Sequence, residues 1–341
     1  MKQPVAIVNN DFDDFLTVDF MVTNKCNFSC HYCHPGSNEG NIGFPEDFDL
    51  LLENLGHAIK IYKEHFNKKH IKFEITGGEP TVWPKIGEFA RWLKNEQGID
   101  NVFLVTNGSR TMRWWEQYAG YFDEVHLSLH SVEGNPHHII QVADYIYENH
   151  KNTHVAVNVL MDPLNWQRSI DNMEIVVNHP STWLVKSWAL VKDGRLRDDY
   201  TKEQLEMFRD KVLKKPPEEY IQRMIDNNII PKKTTAKIVF DDGTIDGYNS
   251  FMLRENQLHN YQGWLCNLGV DRISFLGSWI LGSCGASNLF NLESPLSLND
   301  KEFTKKFTPE IIKPIICRQL SCGSCTKDLK VPKAMIHKKH D

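Results

Sequence analysis

The stretch Cys26-Asn-Phe-Ser-Cys30-His-Tyr-Cys33 holds three cysteines within eight residues, directly after the first predicted strand, residues 16–22. Three thiolates at this spacing can hold three corners of an iron–sulfur cube, because iron in such clusters prefers sulfur ligands. The fourth iron then has no protein ligand and is free to bind a cofactor or substrate. A zinc knuckle completed by His31 or His34 is the structural alternative, although zinc sites usually take a second ligand pair from elsewhere.

Short runs rich in Val, Ile and Phe alternate with amphipathic stretches over the first two-thirds of the chain. We predict strands at residues 16–22, 70–75, 101–105, 124–129, 154–160 and 183–190. We predict helices at residues 48–65, 86–97, 112–121, 136–150 and 170–178. A strand followed by a helix, repeated about six times, indicates βαβ units on a parallel sheet. Six units are too few for a closed eight-stranded barrel, so we predict an α/β fold with a partly open (β/α)6 barrel.

A second motif, Gly77-Gly78-Glu79-Pro80, follows the second predicted strand. With the three-cysteine loop, residues 26–33, this GGEP motif makes the chain resemble the radical S-adenosylmethionine (SAM) enzymes over roughly residues 15–195. The resemblance implies a partial (β/α)6 radical SAM barrel, a [4Fe–4S] cluster on the loop, and a SAM amino group received by the GGEP backbone edge and carboxylate. Glycines let backbone approach a ligand, and a carboxylate pairs with an ammonium. Tyr32 stands where the family has an aromatic side chain against the adenine.

Polar residues mark the ends of the later predicted strands, where a barrel carries its site. By resemblance, Thr106-Asn107-Gly108 matches the family's TNG turn and Asn158 matches its ribose-binding polar residue. Ser128 and His130 are further candidates for binding the cofactor, and Lys186 is a candidate to face the substrate. The alternative for each of them is a turn residue or a polar group satisfied by its neighbours.

The resemblance also implies a mechanism. A reduced cluster that chelates SAM donates one electron, the C5′–S bond breaks, and the resulting 5′-deoxyadenosyl radical abstracts hydrogen from an unactivated carbon. The protein's part is to hold cofactor and substrate in line and to exclude water. Because cluster potentials can fall to about −700 mV, we expect a strong reductant such as flavodoxin or ferredoxin as a partner.

A second cysteine group, in the last quarter of the chain, comprises Cys266, Cys284, Cys322 and Cys325. Residues 266–284 predict a hairpin that brings its two thiols to one end. The group resembles Twitch, a shortened form of the SPASM extension of radical SAM enzymes, and implies an auxiliary [4Fe–4S] cluster. A structural zinc site on the same four thiolates is the alternative.

Cys317 lies between these cysteines without a place in either group. It is an inert thiol, a replacement ligand, or a hydrogen-atom donor to a substrate radical, as in the radical SAM epimerases. The favoured reaction is a dehydrogenation or related oxidation, with the auxiliary cluster accepting an electron. An epimerase, a peptide- or nucleoside-modifying enzyme, and a non-catalytic iron–sulfur or zinc SAM-binding protein are the alternatives.

The alternation of strands and helices ends near residue 200. Residues 201–228 predict helix, with a joint at Pro216-Pro217, and residues 235–249 predict a hairpin around Asp242-Gly243. We therefore predict a barrel at residues 1–200, a helical linker and hairpin at 201–260, a Twitch-like domain at 261–330 and a flexible tail at 331–341.

Composition narrows the class of function. The 341 residues carry 39 Lys and Arg against 44 Asp and Glu, a net charge of −5, which argues against nucleic acid as a partner despite basic stretches at 68–72 and 327–339. No apolar run suits a membrane span or a signal peptide, so we expect a cytoplasmic protein with reduced cysteines. The 25 residues before Cys26 are too few for a leader-binding domain. We therefore expect a small polar substrate, such as a sugar, an aminocyclitol or a nucleotide-linked intermediate.

Overall fold

The computed structural model describes residues 4–8, 14–33, 38–180, 183–192, 195–208, 211–227, 236–248, 262, 265–266, 268–281 and 295–316. The chain divides into two compact units. The first, here called the barrel unit, comprises residues 20–44 and 72–230, and the second comprises residues 1–19, 45–71 and 231–341. The domain boundaries expected at residues 200, 260 and 330 stay predictions.

Strands and helices alternate through the barrel unit. The described strands are β1 (Pro4–Val8), β2 (Phe15–Met21), β3 (His70–Thr76), β4 (Asn101–Thr106), β5 (Glu124–Leu129), β6 (His154–Met161), β7 (Leu184–Ala189), β8 (Val191–Lys192), β9 (Arg195–Leu196), β10 (Val212–Lys214), β11 (Ala236–Phe240), β12 (Ile245–Tyr248), β13 (Leu265–Cys266), β14 (Arg272–Leu276), β15 (Trp279–Leu281) and β16 (Ile315–Ile316). The described α-helices are α1 (Phe48–His65), α2 (Ile86–Asn95), α3 (Met112–Tyr118), α4 (Pro136–Asn149), α5 (Trp166–Val177), α6 (Lys202–Phe208), α7 (Glu218–Asp226) and α8 (Phe303–Lys306).

The sheet of the barrel unit follows chain order. Strands β2 to β7 are neighbours in sequence, and β3 to β7 pair in parallel. Helices α2 to α5 connect the parallel neighbours, so each strand and helix forms one βα unit. Among the described residues β2 and β7 do not pair, so the barrel is open. The predicted α/β fold with a partial radical SAM barrel is confirmed, and each predicted strand ends within one residue of the observed one.

The two faces of the sheet differ in polarity. In β5, Val125, Leu127 and Leu129 are fully buried, and in β6 Val155, Val157 and Val159 are fully buried as well. The residues that alternate with them carry polar side chains, among them Glu124, His126, Ser128, His154 and Asn158. A strand whose side chains alternate in this way buries one face against helices and keeps the other for polar groups. The polar face of this sheet is therefore the place to look for chemistry.

The prediction of helix over residues 201–228 is wrong in its middle. Helix α6 ends at Phe208, β10 then pairs antiparallel with β7, and α7 begins after Pro217. The edge of β7 presents unpaired N–H and C=O groups, and pairing with β10 satisfies them. This gain outweighs the weak helix preference of three residues, which sequence alone cannot reveal. Helix α5 also begins at Trp166, four residues before the predicted start.

In the second unit, β11 and β12 form the predicted hairpin, and Gly243 takes a left-handed φ of +80° in its turn. Strand β1, which the sequence analysis missed, pairs antiparallel with β11. Lys68, from the first basic stretch, is 3% exposed and lies 2.5 Å from Asp271. In the barrel unit, Lys72 of the same stretch pairs with Glu124. These lysines are engaged inside the protein, so they do not present a basic face.

Membrane-spanning segments need both length and apolar character. Among the described residues, no helix combines the two to the extent that a bilayer crossing requires.

Phe89 tests the apolar side of the sheet. It is fully buried on α2, and its ring lies 5.4 Å from Phe20 and 5.6 Å from Phe73 between centroids. We expect Phe89→Ala to lower the free energy of unfolding by about 3–5 kcal/mol, because the cavity cannot fully collapse. Anaerobic urea unfolding measures this change. Val132→Ala, at a side chain that is 42% exposed, is the control and should change stability by less than about 0.5 kcal/mol; equal effects of the two would contradict the packing.

Candidate active site

The stem of the three-cysteine loop is fastened to the GGEP motif by its backbone. Gly78 N donates to Thr23 O at 2.9 Å, and Glu79 N donates to Lys25 O at 2.8 Å. A Cβ on Gly77 would lie 2.3 Å from Thr23 O, and one on Gly78 would lie 2.4 Å from Lys25 O. Both distances are far below contact, so only glycine fits at either position. The close approach that these glycines permit is to the loop's own stem, where the sequence analysis expected an approach to a ligand.

The carboxylate of Glu79 is fully buried at the end of β3. Its Oε1 accepts hydrogen bonds from Thr81 N at 2.9 Å, Thr81 Oγ1 at 2.6 Å and Thr106 Oγ1 at 2.7 Å, and its Oε2 accepts one from Asn107 N at 2.6 Å. Burial raises the pKa of Glu79, and these donors oppose that change. A carboxylate has about four acceptor sites, so protein donors saturate this one. Glu79 thus ties the end of β3 to the TNG turn, and Pro80 opens the buried 3-10 turn beside it.

The three cysteines of the loop are free thiols, with Cys30 buried and the other two partly buried. Phe28 N donates to Cys26 Sγ at 3.3 Å, and Cys33 N donates to Cys30 O at 3.1 Å. A hydrogen bond between the thiols of Cys30 and Cys33 raises the pKa of Cys30 to about 12 and lowers that of Cys33. Burial raises the pKa of Cys26. Three soft donors on one short loop suit an iron–sulfur cluster, whose binding removes the thiol protons.

His130 follows β5 and reaches the loop. Its Nδ1 lies 3.2 Å from Cys30 Sγ and 2.8 Å from Tyr32 Oη. The rings of Tyr32 and His130 are stacked with centroids 5.8 Å apart, and Phe28 packs edge-on against the imidazole at 5.5 Å. Burial raises the pKa of Tyr32 well above its usual range. The structure thus brings two residues expected at SAM into direct contact with one expected cluster ligand.

Three predicted residues form one row across neighbouring strands on the polar face. Ser128 pairs in register with Asn158, and Asn158 pairs with Lys186. Asn158 is 6% exposed, and its Oδ1 makes no hydrogen bond within the described part of the chain. Burial lowers the pKa of Lys186, although the charge of Glu124 opposes the change. A buried amide oxygen without a partner fits a site that a ligand hydroxyl would complete.

The sequence analysis missed two carboxylates that hold the loop. Asp162 is fully buried directly after β6; its carboxylate lies 3.4 Å from His31 Nε2 and accepts hydrogen bonds from Ser131 Oγ at 3.1 Å and Asn165 Nδ2 at 2.8 Å. Glu133 accepts a hydrogen bond from Ser29 N. The available signal was the position of Asp162 at a strand end, the same signal that singled out Ser128 and Lys186.

The second cysteine group lies almost wholly outside the described residues. The backbone of Cys266 is in β13, which pairs with β16, but its side chain is not described. Outside the described residues lie Cys284, Cys317, Cys322 and Cys325. The auxiliary ligands and the role of Cys317 stay predictions.

Comparison with known proteins defines the class. Residues 20–177 match the family model of the radical SAM superfamily, and this stretch is a radical SAM domain. The chain is also similar to the GTP 3′,8-cyclases of Staphylococcus aureus strains Mu3 / ATCC 700698, Mu50 / ATCC 700699 and JH9. Each is 24% identical over 193 residues, which is 56% of this chain and 49% of the relative. The chain thus spans about half the length of the curated relatives it matches.

Gly78 offers a test of the fastening between the GGEP motif and the loop. We expect Gly78→Ala to displace Lys25 O and the loop that follows, because no room exists for a Cβ 2.4 Å from that oxygen. Iron content after anaerobic reconstitution should fall, and SAM cleavage should fall by about 100-fold, as misplacement by an ångström can cost that much. Gly43→Ala is the matched control, because nothing lies within 4 Å of its added Cβ. Normal iron and activity in Gly78→Ala would refute the proposed fastening.

Proposed function

We propose that this protein is a radical SAM enzyme whose three-cysteine loop holds a [4Fe–4S] cluster and whose substrate is a small polar molecule. When bound, the cluster supplies the electron that cleaves SAM reductively, and hydrogen abstraction from an unactivated carbon follows. One observation carries the proposal: the loop, the GGEP motif and His130 converge through the backbone bonds at Thr23 and Lys25 and the 3.2 Å contact between Cys30 and His130.

The residues divide the work of holding the cofactor. Cys26, Cys30 and Cys33 are the ligands of three irons. Since protein donors saturate the Glu79 carboxylate, the backbone carbonyl edge of residues 77–79 receives the SAM amino group. Ser128 and Asn158 serve the ribose, and the buried Oδ1 of Asn158 supports this role because it lacks a partner among the described residues.

A nucleotide is the first substrate class to test. Two observations favour it: the similarity to GTP 3′,8-cyclases, and the position of Lys186 beside Asn158, where an ammonium suits a phosphate or another anionic group. Dehydrogenation, with an auxiliary cluster on Cys266, Cys284, Cys322 and Cys325 accepting an electron, is the second candidate. The four-cysteine pattern in the sequence favours it. A strong reductant such as flavodoxin or ferredoxin is the proposed partner of either reaction.

Removal of the loop thiols tests the class of chemistry. We expect a Cys26→Ala/Cys30→Ala/Cys33→Ala variant to lose about four irons and all SAM cleavage, because each thiolate holds one corner of a cube. Iron analysis and chromatography of 5′-deoxyadenosine, after addition of SAM and dithionite, measure both. If about four irons remain in the variant, an auxiliary cluster is supported; if none remain, it is refuted. A wild-type protein with full iron that forms no 5′-deoxyadenosine would refute the enzyme proposal itself.

Lys186 tests the substrate class. In a panel of GTP, other nucleotides and neutral sugars, we expect product from a substrate with an anionic group. Lys186→Gln should raise KM for it by about 10- to 150-fold, the worth of one charged hydrogen bond. SAM cleavage in the absence of substrate should not change. Lys85→Gln, at an exposed lysine on the same unit, is the control. A KM that is unchanged in Lys186→Gln, or turnover of neutral sugars alone, would remove Lys186 from the substrate site.

A further inference from the structure

A second group of polar side chains lies on the polar face of the sheet, at the opposite ends of the strands from the cysteines. Glu124 is the first residue of β5 and His154 is the first residue of β6, and the two pair in register. His126 lies two residues after Glu124 and therefore on the same face. Glu124 and Ser128 are separated by about 13 Å of strand at 3.3 Å per residue. The group is thus distinct from the row of Ser128, Asn158 and Lys186.

The geometry of this group is that of a ligand set. One carboxylate oxygen of Glu124 and one ring nitrogen each of His126 and His154 lie within 4.8 Å of one another. Glu124 is 5% exposed and His154 is 3% exposed. Neither His154 Nδ1 nor His126 Nε2 has a hydrogen-bond partner among the described residues, although both atoms are buried. Buried ring nitrogens are costly to leave unpaired, so each of them calls for a ligand.

The surroundings hold the three side chains in place. The ring of His126 packs edge-on against Phe103 at 4.6 Å between centroids, and that of His154 lies 5.9 Å from Tyr220. Glu124 Oε1 lies 3.0 Å from His126 Nε2, a separation that two ligands of one small ion can have. The other oxygen, Oε2, accepts a hydrogen bond from Lys72 Nζ at 2.9 Å. Lys72 therefore orients the carboxylate without occupying Oε1.

Lys72 also opposes a cation, because its ammonium repels positive charge. That charge is shared with a second carboxylate, since Lys72 Nζ lies 3.5 Å from Glu74 Oε1. An orienting partner of this kind is common behind a carboxylate that binds a metal. The two oxygens of Glu124 thus face different positive groups: Oε2 faces the lysine, and Oε1 faces the space shared with the two histidines.

We propose that Glu124, His126 and His154 form a binding site for a divalent cation of the zinc class. Two imidazoles and one carboxylate are a donor set that suits Zn²⁺, and three protein ligands leave one position of a tetrahedral ion open. The site needs neither SAM nor the loop cysteines. It therefore stands or falls independently of the function proposed above.

Zinc alone is the probe, and the anaerobically reconstituted full chain is the protein. We compare wild type with His126→Gln, His154→Gln and the control His150→Gln. The control removes a histidine of the loop before β6 whose Nε2 is also unpartnered among the described residues. The competition of each protein with a chromophoric chelator gives the number of zinc equivalents and their affinity. Iron is measured in the same samples, so that displacement of a cluster is recognised.

We expect wild type and His150→Gln to bind one more equivalent of zinc than His126→Gln and His154→Gln. The affinity for that equivalent should fall by about 100-fold or more in the variants, since even loss of an orienting partner costs 10- to 100-fold. Zinc should also raise the melting temperature of wild type and of the control alone, by mass action on the folded state. Equal stoichiometry and affinity in all four proteins would overturn the site. If His154→Gln fails to fold, the partly exposed His126 still decides the matter.

Discussion

The close approach of two backbone segments is the constraint on which the site depends. Residues 23–25 and 77–79 run so near each other that two consecutive positions must be glycine, with added Cβ atoms 2.3 and 2.4 Å from carbonyl oxygens. This contact joins the start of the three-cysteine loop to the end of β3. A loop without regular structure would otherwise lose its geometry to conformational entropy, and a cluster needs its ligands held in place.

Buried carboxylates extend this constraint to the other strands. Glu79 joins the ends of β3 and β4 through four donors, and Asp162, after β6, reaches His31 in the loop. Each carboxylate is fully buried, so its hydrogen bonds are strong and their loss would be costly. The strand ends are therefore connected to one another and to the cysteines, and this connection keeps the cofactor residues in a fixed arrangement.

Several features could not be predicted from residue patterns. Strand β10 forms because β7 has a free edge, and local sequence carries no sign of that edge. The contact of His130 with Cys30 joins residues 100 positions apart. The same holds for Glu124 and His154, whose pairing depends on the register between β5 and β6. Local preferences of a few tenths of a kcal/mol give way to such long-range contacts.

The sequence by itself determined the order of strands and helices, because buried parallel strands and amphipathic helices have distinct periods. It also determined the class of chemistry, because three cysteines at this spacing and a GGEP motif after the next strand carry a specific pattern. Only the tertiary structure decided what Glu79 binds and which polar side chains meet on one face of the sheet. Those outcomes depend on strand register and on backbone approach, which are properties of the folded chain and are not encoded in any single stretch.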